Sequence, residues 1–179
     1  MGFVQTYFIA FALDEGFTRW FAAGLMGLMG LLSVVGGLGL GTVSDRVGRR
    51  DPLALAYLLR GLGFAAWSAI PIVSRAEVLM ALGIVLIGLS WAATTSLTTA
   101  ACADVWGSGK AGAIAGLALF VMWIGHGIGS YVPGLVRSTW GTYIPTILAN
   151  ELGALVAAVM VFTLREPTLR RAPESALTP

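Results

Sequence analysis

Arg60, His126 and Glu151 interrupt long apolar runs, and an ionisable group in such a run is costly enough to need a role. Arg60 lies eight residues beyond Pro52, and Glu151 eight beyond Tyr143. At 1.5 Å per helical residue each is about 12 Å into its segment, entering from opposite ends. A mutual ion pair, an anion site at Arg60 and a proton carrier at Glu151 are all open on these grounds. His126 is the only histidine, with Ser130 one helical turn further on the same face. That pair suggests hydrolysis, but no Asp or Glu lies nearby in the segment, and one turn of helix is not a recognised nucleophile–base arrangement. A lone histidine without Cys, Asp or Glu neighbours also makes no metal site. Packing, hydrogen bonding, cavity lining or proton relay is left for His126, and no enzymatic constellation is found.

Two further groups carry polarity. In LSWAATTSLTTAA, Ser90, Thr94 and Thr98 recur every four residues and share a helical face, with Trp91 beside Thr94. Such hydroxyls can bond back to their own backbone, glue helices together or line a water-accessible wall. Gln5 and Tyr7 belong to a similar inventory near the start of the chain. The second group is GTVSDRVGRR, Gly41 to Arg50, which places Asp45, Arg46, Arg49 and Arg50 between two greasy stretches. Gly48 there permits a tight turn, and Asp45 can accept from a helix start or an arginine, bonds about twice as strong as neutral ones. Arg49 and Arg50 can reach lipid phosphates, Gly41 lets its helix approach a neighbour closely, and Pro52 is suited to a helix start.

The elements that must position these residues follow from composition. The 179 residues are 57% hydrophobic and 11% charged, with a mean hydropathy of +0.84. A soluble domain carries about 25% charged residues, so this chain is expected to be an all-α integral membrane protein. The net charge of +2 is read as loop sorting rather than nucleic-acid binding. One cysteine, Cys102, excludes an internal disulfide. Charges divide the chain into six apolar spans of roughly 2–13, 20–43, 52–73, 78–101, 111–136 and 143–164. Residues 1–164 then form one six-helix bundle, and 165–179 a polar, disordered cytoplasmic tail. The first span is too short to cross a ~30 Å core, and is expected to be a helix whose start is missing.

Alternate loops hold Arg46, Arg49, Arg50, Lys110, Arg165, Arg170 and Arg171 on one side, against Arg19, Arg75 and Arg137 on the other. Seven against three places the Arg49 loop, the tail and both termini in the cytoplasm. The 24 glycines include pairs at spacing four, Gly37/Gly41, Gly112/Gly116 and Gly125/Gly129, the pattern of close helix approach in lipid. GHGIGSYVPG, with Pro133, suits a helix that bends.

In that setting GTVSDRVGRR resembles the loop motif G-x-L-A-D-R-x-G-R-[KR] of the major facilitator superfamily. Gly41, Asp45, Arg46, Gly48, Arg49 and Arg50 match it, while Val43 and Ser44 replace Leu and Ala. DEGFT, PLALAYLLRG and GHGIGSYVPGL look like the carboxyl-terminal six-helix half of bacterial members near the monocarboxylate-transporter group. The resemblance implies two three-helix repeats, and a small-molecule cavity lined by the first and fourth helices, here Gln5, Tyr7, Ser90, Trp91, Thr94 and Thr98. It implies a conformational latch at the motif, residence in the plasma (inner) membrane, and no cofactor beyond a coupling ion such as H+. It implies secondary transport of a small solute, such as an organic anion, with an amino-terminal six-helix half or a homodimer partner completing the site. The competing expectation is a stand-alone six-helix membrane protein that acts as a dimer or interaction partner. Third and sixth helices are usually peripheral, which weakens Arg60 and Glu151 as substrate ligands.

Overall fold

A computed structural model describes residues 2–73 and 76–163 of the chain. The helices are α1 (Gly2–Asp14), α2 (Arg19–Val47), α3 (Arg50–Ser68), α4 (Ala76–Trp106), α5 (Ser108–Trp140) and α6 (Ile144–Thr163), with a short 3-10 turn Ile70–Ile72 after α3. No strand occurs among the described residues, and all helices except α1 are long and apolar enough to cross a membrane. The expected tail 165–179 lies outside the described residues.

Helices α2, α4 and α5 outrun their apolar spans, whereas α3 stops at Ser68, short of the expected 73, and α6 keeps within its span. GTVSDRVGRR is not a loop: α2 continues through Asp45 and Arg46 to Val47, leaving only Gly48 and Arg49 between α2 and α3. Likewise α4 runs past Ala101 to Trp106, and only Gly107 separates it from α5. The difference is physical. Hydropathy marks where lipid ends, whereas intrahelical hydrogen bonding continues until the backbone is diverted. The diversions are glycines: Gly48 has φ 101°, Gly107 φ 72°, Gly141 φ 73° and Gly16 φ 87°. Gly48 N–H closes on Ser44 O at 3.0 Å, ending α2. At the other end of α2, Thr18 accepts from Phe21 N–H at 3.3 Å as its N-cap. Pro133, expected to favour a bend, lies buried within α5, which stays helical through it.

Helices of the first three pair with helices of the last three. The principal contacts are α2 with α4, α3 with α6, and α1 with α5, joined by α3 with α4. Exchanging the two triplets carries α2–α4 onto α1–α5 and α3–α6 onto itself, the signature of a repeated three-helix unit, while α3–α4 has no such counterpart. The α2–α4 seam is closed by glycine. A side chain at Gly36 would run into the Leu89 backbone, and Gly88 lies 3.1 Å in Cβ terms from Leu32. Gly37 packs on Ala92. Its partner by spacing, Gly41, faces open space, as do Gly112, Gly116 and Gly125, while Gly129 only approaches Gly2. Close approach is therefore made at Gly36, Gly37 and Gly88, correcting the expectation for Gly41. Spacing four identifies a helix face, and only the neighbour decides whether that face is covered.

The core is aromatic. Phe3, Phe8 and Phe11 of α1 pack on Phe64 and Trp67 of α3 and on Tyr143, and all of them are buried. The Trp67 indole donates to Met80 O at 3.2 Å, so its polar edge is satisfied. Gly83 lies against the Trp67 ring, where a side chain would displace it.

Candidate functional site

The motif residues gather at one end of the bundle. Arg49 follows Gly48 at the N-cap of α3, its side chain turned back to the helix ends. Its Nη1 donates to Asp45 Oδ1 and to Ser44 Oγ, both at 2.6 Å. Its Nε donates to Asp104 Oδ2 at 2.9 Å. Asp45 lies in the last turn of α2 and Asp104 in the last turn of α4. A carboxylate there opposes the negative end of the helix dipole, so both acids are destabilised by their own helices and rescued by one cation. The Asp104 hydrogen bond is the largest influence holding the Arg49 guanidinium above its usual range; burial opposes it, and Asp45 adds to it. The backbone of Gly48 makes this geometry, because φ 101° with ψ 172° is open essentially to glycine alone.

Arg50 pairs with Asp51 at 2.8 Å and lies 5.3 Å from the Phe162 ring of α6. Arg46 is exposed and makes no ion pair among the described residues. Asp104 was not singled out in the sequence, where it stands as a lone acid between an apolar run and Val105-Trp106. The signal was there: an acid in the last turn of a long helix needs a cation nearby.

At the opposite end, Asp14 closes α1, and its Oδ2 accepts from Arg137 Nε of α5 at 2.7 Å. Arg137 also donates to Gly141 O at 2.6 Å and lies 5.7 Å from the Tyr143 ring. Glu15 stands next to this pair, its carboxyl pushed up first by burial and then by the Asp14 charge.

Midway between the ends, Arg60 is buried at 7% exposure. Its Nη2 donates to Thr94 Oγ1 at 2.7 Å and to Ser90 O at 3.1 Å, and its charge lies 5.6 Å from the Tyr57 ring. Nε is shielded and has no hydrogen-bond partner among the described residues. The ion pair open to Arg60 and Glu151 on sequence grounds is not formed; Glu151 Oε2 accepts from Ser68 Oγ at 3.1 Å instead. The expected equal depth does not hold: Glu151 is level with Ser68, eight residues along α3 from Arg60, whose neighbour Gly61 meets Leu155 of α6, while the Arg60 Nη2 reaches across to α4.

The hydroxyl row splits. Ser90 and Thr94 are buried against α3, with Oγ atoms donating to Ile87 O and Ser90 O at 2.8 Å each. Thr98 donates to Thr94 O at 2.7 Å and, like Trp91, keeps some exposure. Gln5 is exposed on α1, and the Tyr7 hydroxyl packs against Gly134 of α5. His126 is half-buried, its ring 5.1 Å from Trp123. Among the described residues no cluster of His, Cys, Asp and Glu could hold a metal.

Comparison with known proteins bears on this arrangement. No curated protein and no solved structure matches the chain. The family profile of the Major Facilitator Superfamily matches residues 1–130, which takes in α1 to α4, the Asp45–Arg49–Asp104 cluster and most of α5. The chain is an integral membrane protein and belongs to the Major Facilitator Superfamily.

Proposed function

We propose that the chain is the carboxyl-terminal six-helix half of a bacterial secondary transporter that moves a small solute, such as an organic anion, by alternating access. The superfamily is one of membrane transporters; the finer assignment rests on the sequence around the motif and on what the ends of the bundle can do. The observation that carries it is the Arg49 cluster. One arginine holds the ends of α2 and α4 together through surface-accessible ion pairs, contacts weak enough to break during a rocking motion. Asp14 and Arg137 tie α1 to α5 at the other end, so each face of the bundle has a contact that one conformation can keep and the other release.

In this reading the Arg49 end and both termini are cytoplasmic, in the inner membrane, and a second six-helix unit completes the solute path. Gln5, Tyr7, Trp91 and Thr98, which retain exposed surface, contribute to the path. Ser90 and Thr94 serve it indirectly by fixing Arg60. A proton is a suitable coupling ion, with the half-buried Glu151 as its carrier.

The test is solute-driven proton movement in proteoliposomes, using protein expressed from its native reading frame. Arg49→Gln is expected to cut the rate at least about ten-fold, equivalent to about 1.4 kcal/mol. Unchanged transport in that variant would count against the latch, and no transport of any carboxylate, sugar or drug would favour the stand-alone reading.

A further inference from the structure

We propose that the crevice between α3 and α6 beside Arg60 is a binding site for a small, singly charged carboxylate. It is separate from the α1 and α4 surfaces assigned to the transported solute, and does not depend on that assignment.

Charge is the first argument. Arg60 lies ten residues into α3, about 15 Å from its start at 1.5 Å per residue, and so sits deep in the bilayer. It has no carboxylate within ion-pair distance among the described residues, and Glu151 of the neighbouring α6 is engaged by Ser68 instead. Neutral acceptors, Ser90 O and Thr94 Oγ1, occupy Nη2 alone. Nε has no acceptor, and no hydrogen bond joins Nη1 to the described residues. A buried cation in a low-dielectric setting is costly unless an anion accompanies it. The site is one negative charge short.

Space is the second. A cavity of about 290 Å³ opens beside Arg60, lined by Tyr57, Arg60, Phe64, Ala149, Asn150, Gly153 and Ala154. That is the lower end of the range for small-molecule sites, with the expected mixture of apolar wall and a few polar groups. The α6 wall is made of small residues, and a side chain at Gly153 would meet nothing within 4 Å. Asn150 spends its Nδ2 on Thr146 O at 2.8 Å, which leaves its carbonyl oxygen to accept from a ligand hydroxyl.

Together these set the ligand class. One guanidinium balances one negative charge, and its planar fork matches a carboxylate. A divalent phosphate would leave a net negative charge in the same apolar surroundings, at the same kind of cost. Phe64, Ala149 and Ala154 supply contacts for a short apolar body.

The experiment is ligand-dependent thermal stabilisation of the purified full chain in lipid nanodiscs at fixed ionic strength. Benzoate and butyrate are compared with benzamide, butyramide and inorganic phosphate. The carboxylates are expected to raise Tm in a saturable manner, and the amides and phosphate to leave it unchanged. Arg60→Gln should weaken carboxylate binding at least about ten-fold, or about 1.4 kcal/mol. Gly153→Leu, which fills the crevice while leaving Arg60 intact, should do the same; it carries the test should Arg60→Gln not fold. No carboxylate shift, an equal shift with the amides, or full binding by Gly153→Leu would overturn the proposal. Transport is not the readout, so failure here leaves the transporter assignment standing.

Discussion

Arg49 Nε donates to Asp104 Oδ2 at 2.9 Å across a sequence separation of 55 residues. The same guanidinium holds Asp45 four residues back. Two acids placed against the grain of their own helices thus share a cation standing at the start of a third. Neither partner side chain in the Arg49–Asp104 pair is freely solvated, at 27% and 29% exposure. Asp45, at 65%, is largely in solvent and adds less.

Breaking the better-shielded pair should therefore cost more. Asp104→Asn is expected to lower unfolding stability in detergent by about 1 kcal/mol, and Asp45→Asn by about half of that. Arg49→Gln, which strands both acids, should cost about 1–2 kcal/mol. A double-mutant cycle between positions 49 and 104 should give a coupling of about 0.5–1 kcal/mol that shrinks with added salt. A coupling indistinguishable from zero would remove the energetic basis of the latch.

The two motif glycines should respond oppositely to alanine. Gly48→Ala meets a backbone conformation open essentially to glycine and is expected to cost about 1–3 kcal/mol. Gly41 is helical and faces open space within the chain. Gly41→Ala is expected to be neutral or stabilising by about 0.5–1 kcal/mol in the isolated chain. Chemical unfolding of the two variants side by side decides it. Equal destabilisation would mean that Gly41 is packed against something in solution.

The α2–α4 seam gives a sharper contrast. Gly36→Ala drives a methyl into the Leu89 backbone and must separate the helices; a loss of about 1–3 kcal/mol is expected, as for overpacking. Gly39→Ala, three residues on with no neighbour within 4 Å, should leave stability unchanged or slightly raised. Thermal unfolding of both measures the difference, and comparable melting points would place the helix contact elsewhere.

At the Asp14 end, pH should act through Glu15. Its carboxyl is raised above the ordinary value of 4.5 in the folded chain, so the folded state holds this proton more tightly than the unfolded state does. The resulting stabilisation is complete below about pH 4.5 and is lost as pH rises through the raised value. Glu15→Gln removes the dependence. It should match the parent at low pH and exceed it at neutral pH, by a small margin because the group is only half-buried. Unfolding scans from pH 4 to about pH 8 test this, and a variant less stable than the parent at neutral pH would contradict it.

Much of this was legible in the residues, and the gaps have identifiable causes. Apolar run length gave six helices because lipid imposes a minimum span. The motif located Arg49 because its residue types and spacing are specific. Asp104 stayed hidden because its partner is far away in sequence, and local spacing carries no information on pairing between helices. Arg60 and Glu151 were expected at like depth, but the helices start elsewhere than the apolar runs do and Glu151 comes level with Ser68, so each found a hydroxyl or carbonyl on another helix. The hydroxyl row was visible as a face; which helix covered it was not. Glycine spacing likewise named faces without saying which were in contact, as Gly37 and Gly41 illustrate.

The close approach of Gly36 to Leu89 also has a mechanical side. In the proposed rocking motion it would serve as a fulcrum with unequal arms, because Asp45 is nine residues from Gly36 while Asp104 is fifteen from Leu89. At 1.5 Å per residue these arms are about 14 Å and about 22 Å. Opening the Arg49–Asp104 contact by about 3 Å then needs α4 to swing through only about 8° on its 22 Å arm. In the proposed rocking motion so shallow a rotation would leave the glycine seam closed while the end of the bundle opens, with the seam as bearing and the arginine as its catch.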